Sequence, residues 1–186
     1  MRVDFRIPTF ETERLRFRLP KASDLEAHVD FRASERSKGV GGPYDAPSSF
    51  HHLEGIIGQW QLRGYGRWMV ADKATDAPYG VVGIYHPMDW PEPEIGWSLY
   101  AAGEGRGFAQ EAAIATRDFA YRVLGWTRIV SLIMPDNLRS IRLAERLGCT
   151  RTEPFIHPEF GHLDIWVHKG PEVATEPPQS IDGVPA

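Results

Sequence analysis

Cysteine is nearly missing from this chain. Cys149 is the single one in 186 residues, so no internal disulfide can form and a reducing compartment suits the protein. Apolar runs of membrane length are missing too, since none approaches the roughly 20 residues a spanning helix needs. The N-terminal stretch has charged residues scattered through it, unlike a secretory signal. Positive charge is not in excess. With 21 Lys and Arg against 25 Asp and Glu, the formal net charge is −4, which argues against a general nucleic-acid-binding surface. There is no internal repeat and no recognised metal-ligand spacing. What is present is ordinary for a globular protein: 42% hydrophobic and 25% charged residues, at a length that suits one domain with a substantial core. The lone Cys149 reads as a small core thiol rather than a reactive one.

The most informative stretch is GEGRGFAQEAAIATRDFAYRVLGW, residues 103–126. Three glycines open a loop and an amphipathic pattern follows at once. Phe108, Ala112, Ala113, Phe119, Ala120, Val123 and Leu124 fit one face of a 3.6-residue period, and Gly125 stands where a helix stops. The glycines therefore precede a helix N-terminus, whose free N–H groups and positive dipole end suit a phosphate. An ordinary turn feeding a helix is the plainer alternative. A short apolar strand, RIVSLI (128–133), comes next. Asn137 then reads as the N-cap of a helix with Ile141, Ala144 and Leu147 inward and Gly148 as its stop.

These segments resemble the GNAT superfamily of N-acetyltransferases, and more closely its RimJ/RimL-type branch. GRGFAQEA (105–112) is similar to that branch's G-x-G-[YF]-A-x-E-A segment, and NLRSIRLAERLGC (137–149) to its Asn-led segment. TERLRFRL (12–19) and EIGWSL (94–99) are similar to the family's first strand and to the strand before the Gly-rich loop, so the match runs from about residue 10 to about residue 169. The resemblance implies a mixed α/β fold. It is a three-layer αβα sandwich whose twisted, mostly antiparallel sheet splays around an acetyl-CoA site. Residues 1–169 would form a single N-acetyltransferase domain, followed by a flexible, proline-containing tail over 170–186.

Acetyl-CoA would be the cosubstrate, and no metal is implied. Its diphosphate would meet the N–H groups of Gly105, Arg106, Gly107, Phe108 and Ala109, with the Arg106 side chain adding charge. The pantetheine arm would lie between the strands at 94–100 and 128–133. Backbone N–H groups at Trp97, Ser98 and Leu99 would polarise the thioester carbonyl. Asn137 would cap its helix and also anchor the arm, or cap alone. Glu94 would be the general base, or else a strand-end carboxylate bonded to a neighbouring strand. Many family members place a Tyr seven residues after the helix-opening Asn, where this chain has Ala144. Ser140 would then hydrogen-bond the leaving sulfur, unless it is merely a solvated hydroxyl. Glu104 departs from the Gln or Arg usual at its place and is expected to point to solvent. The implied reaction is direct attack of a primary amine, a protein N-terminal α-amine or a small-molecule amine, on the acetyl group. A non-catalytic acyl-CoA-binding sensor or scaffold is the alternative.

The rest of the chain reads as follows. Leu15, Phe17 and Leu19 alternate with arginines in a half-buried strand, and Ser23 with Glu26 makes a capping box for a first helix to about Phe31. Residues 34–47 are a loop, 48–62 a helix, 67–72 and 79–85 paired strands, 86–93 a Pro-rich loop, and 149–155 and 162–168 two more strands. The segments 31–50 and 86–93 would form the acceptor side. His162 or Asp164 could face that pocket, and Trp90, Tyr44 and Trp68 could wall it or serve as core. His157 joins no motif. His51 and His52 read as surface residues. The expected partners are an amine-bearing small molecule or peptide, not nucleic acid or membrane. The expected setting is cytoplasmic, as a monomer or homodimer.

Overall fold

The computed structural model describes residues 7–171, and most of the tail expected over 170–186 lies outside them. The chain opens with β1 (Phe10–Glu11), β2 (Leu15–Arg18), α1 (Leu25–Ala33) and α2 (Ala46–Arg63). A three-strand run follows, β3 (Arg67–Asp72), β4 (Pro78–Tyr85) and β5 (Glu94–Leu99), then α3 (Phe108–Arg122) and β6 (Val130–Ile133). The last elements are α4 (Leu138–Arg146), β7 (Thr150–Arg151), β8 (Phe155–His157) and β9 (Gly161–Val167). The strands form one sheet in the order β1-β2-β3-β4-β5-β6-β9-β7, with β8 on β9. Every pairing is antiparallel except β5 with β6, which is parallel.

Strand alternation sorts the core onto two faces. Trp68 and Val70 of β3, with Val82 and Ile84 of β4, pack with Phe108, Ala112, Ala113, Phe119 and Ala120 of α3. Between them, Met69 and Val81 face the other way and meet Phe31 of α1 and Leu53 and Ile56 of α2. This is the three-layer αβα sandwich that the resemblance implied. The α3 stripe read from its 3.6-residue period is the buried one. Trp68 is fully buried and donates its indole N–H to Pro8 O at 2.8 Å, so it is core and not a pocket wall.

Two local expectations are corrected. The first helix is not opened by Ser23 and Glu26. A 3-10 turn over Ala22–Asp24 precedes α1, and the Asp24 carboxylate takes the Lys21 N–H at 2.7 Å. Asp24 is drawn inward because it also receives both Arg18 Nη atoms, at 2.7 and 2.9 Å. The second correction concerns 34–47, where a 3-10 helix (Glu35–Val40) forms before the Asp45 N-cap of α2.

Arg18 and Asp24 are 5% and 1% exposed, so removing one partner strands a charge in the interior. Breaking such a buried pair typically costs about 3–5 kcal/mol. Asp24→Ala is expected to cost about 3 kcal/mol, somewhat relieved by the Arg18–Asp76 contact, read from the urea midpoint; a midpoint equal to that of the parent protein would contradict it.

Candidate active site

The site follows from one irregularity in the sheet. β5 and β6 share a single register pair, Glu94 with Val130, and then diverge. Side chains bridge what the ladder leaves open. Glu94 Oε2 accepts the Leu132 N–H at 2.9 Å, and the Ser131 hydroxyl donates to Ile95 O at 2.7 Å. Ser131 Oγ also lies 3.0 Å from His168 Nε2. The hydroxyl's one proton is committed to Ile95, so Nε2–H must be the donor there. Burial lowers the His168 pKa to about 3, which keeps the ring neutral with Nδ1 unprotonated.

Antiparallel pairing fixes which amides face the gap. Tyr100 N–H donates to Tyr79 O at 2.8 Å, and the same register pairs Ser98 with Val81. Ser98 therefore spends its amide on β4, contrary to the expectation that all three of Trp97, Ser98 and Leu99 would present theirs. Trp97 and Leu99, one residue out of phase, turn their N–H groups toward β6.

At the far end of the gap lies the Gly-rich loop. Gly105 and Gly107 have φ of 70° and 79°, a left-handed conformation that costs other residues roughly 1–2 kcal/mol. Among the described residues, no protein acceptor meets the N–H groups of Gly105, Arg106, Gly107, Phe108 or Ala109. The first bond of α3 is Glu111 N–H to Gly107 O, at 3.1 Å. These five amides are open to an anion. The Arg106 side chain is not part of that cradle. It lies 4.5 Å from the Phe108 ring centroid and donates to the Tyr79 hydroxyl at 2.9 Å, pinning the loop to β4. Glu104 does not point to solvent either, because it forms ion pairs with Arg36 and Arg139 across the mouth of the gap. Its charge is thereby neutralised. Arg14, Arg36 and Arg139 outweigh Glu104 and Glu111 around the loop, which suits a diphosphate.

The near end opens into a cavity of about 200 Å³. Glu94, Trp97, Ser98, Asn137 and Ser140 all line it, so it joins the cofactor-side and catalytic candidates. Asn137 caps α4, its Oδ1 accepting the Ser140 N–H at 3.2 Å. The Trp97 indole donates to Ser140 Oγ at 3.1 Å, which leaves the Ser140 proton free. Ala144 is fully buried beside Ile133 and Trp166, so no hydroxyl stands in for the missing Tyr there. Glu94 is 8% exposed, and burial pushes its pKa up to about 7 against the pull of the Leu132 N–H, the Trp90 indole and Arg67. It is bonded to the neighbouring strand and also suited to take a proton near neutrality.

Sequence reasoning missed much of the acceptor-side wall: His28, Arg32, His52, Arg67, Tyr85, Tyr100 and Phe160. His52 is not a surface residue. Arg67 Nη1 donates to His52 Nε2 at 3.0 Å, His52 Nδ1 meets His28 Nε2 at 3.1 Å, and His28 Nδ1 meets the Tyr100 hydroxyl at 2.8 Å. With Arg67 a fixed donor, each imidazole must carry its proton on Nδ1. Burial and the two arginines hold both pKa values down, that of His28 to about 4. Among the expected aromatic walls, Tyr44 and Trp90 do line the cavity.

His157, His162 and Asp164 do not line it. His162 and Arg151 pair with Asp164, while His157 pairs with Asp89 at 3.0 Å and accepts the Glu159 and Phe160 N–H groups. Among the described residues no group of three or more His, Cys, Asp or Glu could hold a metal, and no helix is long and apolar enough to cross a membrane. Cys149 is half-buried and its thiol is pushed up to about 11 by burial, an inert core contact.

Known proteins resemble this chain over most of its length. An acetyltransferase (GNAT) domain model matches residues 14–150. The crystal structure of an acetyltransferase from Agrobacterium tumefaciens is similar at 39% identity and a TM-score of 0.81, covering 91% of this chain and 98% of that one. YkkB of Bacillus subtilis is 36% identical over 90 residues, 46% of this chain and 52% of that protein, so the match spans about half of it. An N-acetyltransferase of Bacillus licheniformis, p20, is 28% identical over 75% of this chain and 81% of its own length.

If the loop glycines aim the open amides, a Cβ at one of them must spoil the aim. Gly107→Ala is expected to weaken CoA binding about five- to thirtyfold, the equivalent of roughly 1–2 kcal/mol, in isothermal calorimetry. An unchanged affinity would contradict this role for the loop.

Proposed function

As the chain belongs to the GNAT acetyltransferase family and is an acetyl-CoA-dependent N-acyltransferase, we propose that it acetylates a primary amine by direct attack, with Glu94 as the base that frees the nitrogen. The observation that carries the reading is the position of Glu94. It is a buried carboxylate with a pKa near 7, on the wall of the cavity into which the splayed strands open.

The chain's residues divide the work. The amides of 105–109 hold the cofactor's diphosphate, and Asn137 and the gap edges hold its arm. Bound acetyl-CoA supplies the activated acetyl group. An acceptor amine is mostly protonated at neutral pH, with a pKa of about 8 for an α-amine and about 10.4 for a lysine-like one. Glu94 takes the extra proton first, directly or through water, so that the nitrogen attacks as the neutral amine. The Trp97 and Leu99 N–H groups hydrogen-bond the carbonyl oxygen as charge builds on it. As the new C–N bond forms and the C–S bond breaks, the Ser140 hydroxyl donates to the departing sulfur. The indole bond into Ser140 Oγ makes that hydroxyl a better donor.

The Gly-rich and Asn-led segments support a place in the RimJ/RimL-type branch, whose resemblance implies a protein N-terminal α-amine as acceptor. The small cavity, of about 200 Å³, favours a small-molecule amine instead. One catalytic domain over residues 1–169, acting in the cytoplasm as a monomer or homodimer, completes the reading.

The sign of the pH dependence follows from the base. Glu94 works as the carboxylate, so kcat/KM should rise tenfold per unit below pH 7 and bend as pH passes about 7. Glu94→Gln should lower kcat/KM on the order of a hundredfold or more and remove that bend. A variant with the parent rate and profile would rule Glu94 out as the base.

A further inference from the structure

The acceptor side of the cavity carries two guanidinium groups that nothing in the reaction so far uses. Arg32 ends α1 and is 7% exposed, with its guanidinium carbon 3.9 Å from the Tyr44 ring centroid. Arg67 begins β3, with its guanidinium carbon 4.2 Å from the Tyr85 centroid. Stacking occupies the faces of the two groups and leaves their N–H edges to be satisfied in the plane. That demand is poorly met. Neither Nε has a hydrogen-bond partner, and Arg67 spends one Nη1 N–H on His52. Among the described residues no carboxylate lies within ion-pair distance of either arginine.

The charge balance of the wall sharpens the point. Among the described residues lining the cavity, Glu94 is the one carboxylate, against Arg32 and Arg67. The two histidines that could add charge are held neutral by the Arg67–His52–His28–Tyr100 chain. A cavity with this surplus repels a bare alkylammonium or a polyamine. It accepts an amine that brings its own anion. Buried guanidinium donors are costly when unpaired, and a planar carboxylate is the group their fork geometry fits.

We infer that the acceptor is a small amino acid-type molecule, its carboxylate bound by Arg32 and Arg67 and its amine directed to Glu94 beside the thioester. Tyr44, Tyr85, Trp90 and Phe160 form the aromatic walls around the remaining part of the molecule. This rests on the transferase reading for the amine, but the anion site stands on the two arginines alone. No atom changes hands beyond the acetyl transfer already written.

The experiment separates the two. L-Leucine, L-phenylalanine and L-methionine are compared as acceptors with their decarboxylated amines and their carboxamides, by CoA release. In parallel, 4-methylpentanoate, which is leucine without the amine, is titrated into the CoA-saturated enzyme by calorimetry. The phosphonate analogue of leucine distinguishes a carboxylate site from one for a tetrahedral anion. The expected result is a preference of at least about 100-fold in kcat/KM for at least one amino acid over its two uncharged partners. Measurable 4-methylpentanoate binding should accompany it, and both should fall at least tenfold in Arg67→Gln and in Arg32→Lys. CoA affinity and melting temperature show that each variant is folded. If decarboxylated amines or carboxamides are accepted as well as the acids, and 4-methylpentanoate does not bind, the inference is wrong while the transferase reading stands. If 4-methylpentanoate binds through the arginines but no amine in the panel releases CoA, the anion site stands and the transferase reading fails.

Discussion

Everything in the site depends on a parallel pairing that is abandoned after one step. β5 and β6 meet at Glu94 and Val130 and then part. A sheet that splays exposes backbone groups that must find partners, because buried N–H and C=O groups are rarely left alone. Near the vertex the chain meets this demand with side chains. Glu94 accepts the Leu132 N–H, and Ser131, held by His168, donates its hydroxyl to Ile95 O. Beyond the vertex it does not, and the Trp97 and Leu99 amides are left facing the opening. The groups that hold the vertex together therefore also define where a ligand with amide-like groups can enter.

Charge is distributed along that opening in a consistent order. At the Gly-rich end, arginines outnumber carboxylates and the loop amides are unpaired. At the cavity end, two stacked arginines face a single carboxylate. The carboxylate sits between these two positive regions, buried enough to have its pKa raised to about 7. Burial alone would push it higher, and Arg67 and the Leu132 N–H restrain it. The histidines beside it are made neutral by the direction of their hydrogen bonds, so Glu94 is left as the group of that wall that titrates near neutrality. In the proposed reaction, the same electrostatics that admit an anionic group also keep the base available.

The frame was legible from the sequence where local signals and burial agreed. The stripe on α3 is a clean 3.6-residue period, and Gly105, Gly107 and Asn137 carry backbone meaning that a single residue can show. Glu94 was visible because it begins a strand next to the Gly-rich loop. The rest depended on contacts between distant segments. Whether Ser98 or Trp97 presents its amide is a matter of strand phase, which a sequence without its register does not fix. Glu104 looked solvent-facing because Arg36 and Arg139 lie far from it along the chain. Trp68, read as wall or core, is core, and His52, read as a surface residue, lines the cavity, since an aromatic or imidazole ring on an amphipathic element serves either face. Arg32 and Arg67 gave no signal at all, because a basic residue at a helix end or strand start is ordinary until its neighbours are known.

The central claim is that open amides at both ends of one gap receive a single extended cofactor. Amide-resolved hydrogen exchange, with and without CoA, tests it most directly. The account predicts that CoA slows exchange at Trp97, Leu99 and Gly105 through Ala109 together, while Ser98, already committed to β4, and the β2–β3 amides change little. Protection that spares those amides, or that appears on a different face of the sheet, would contradict it.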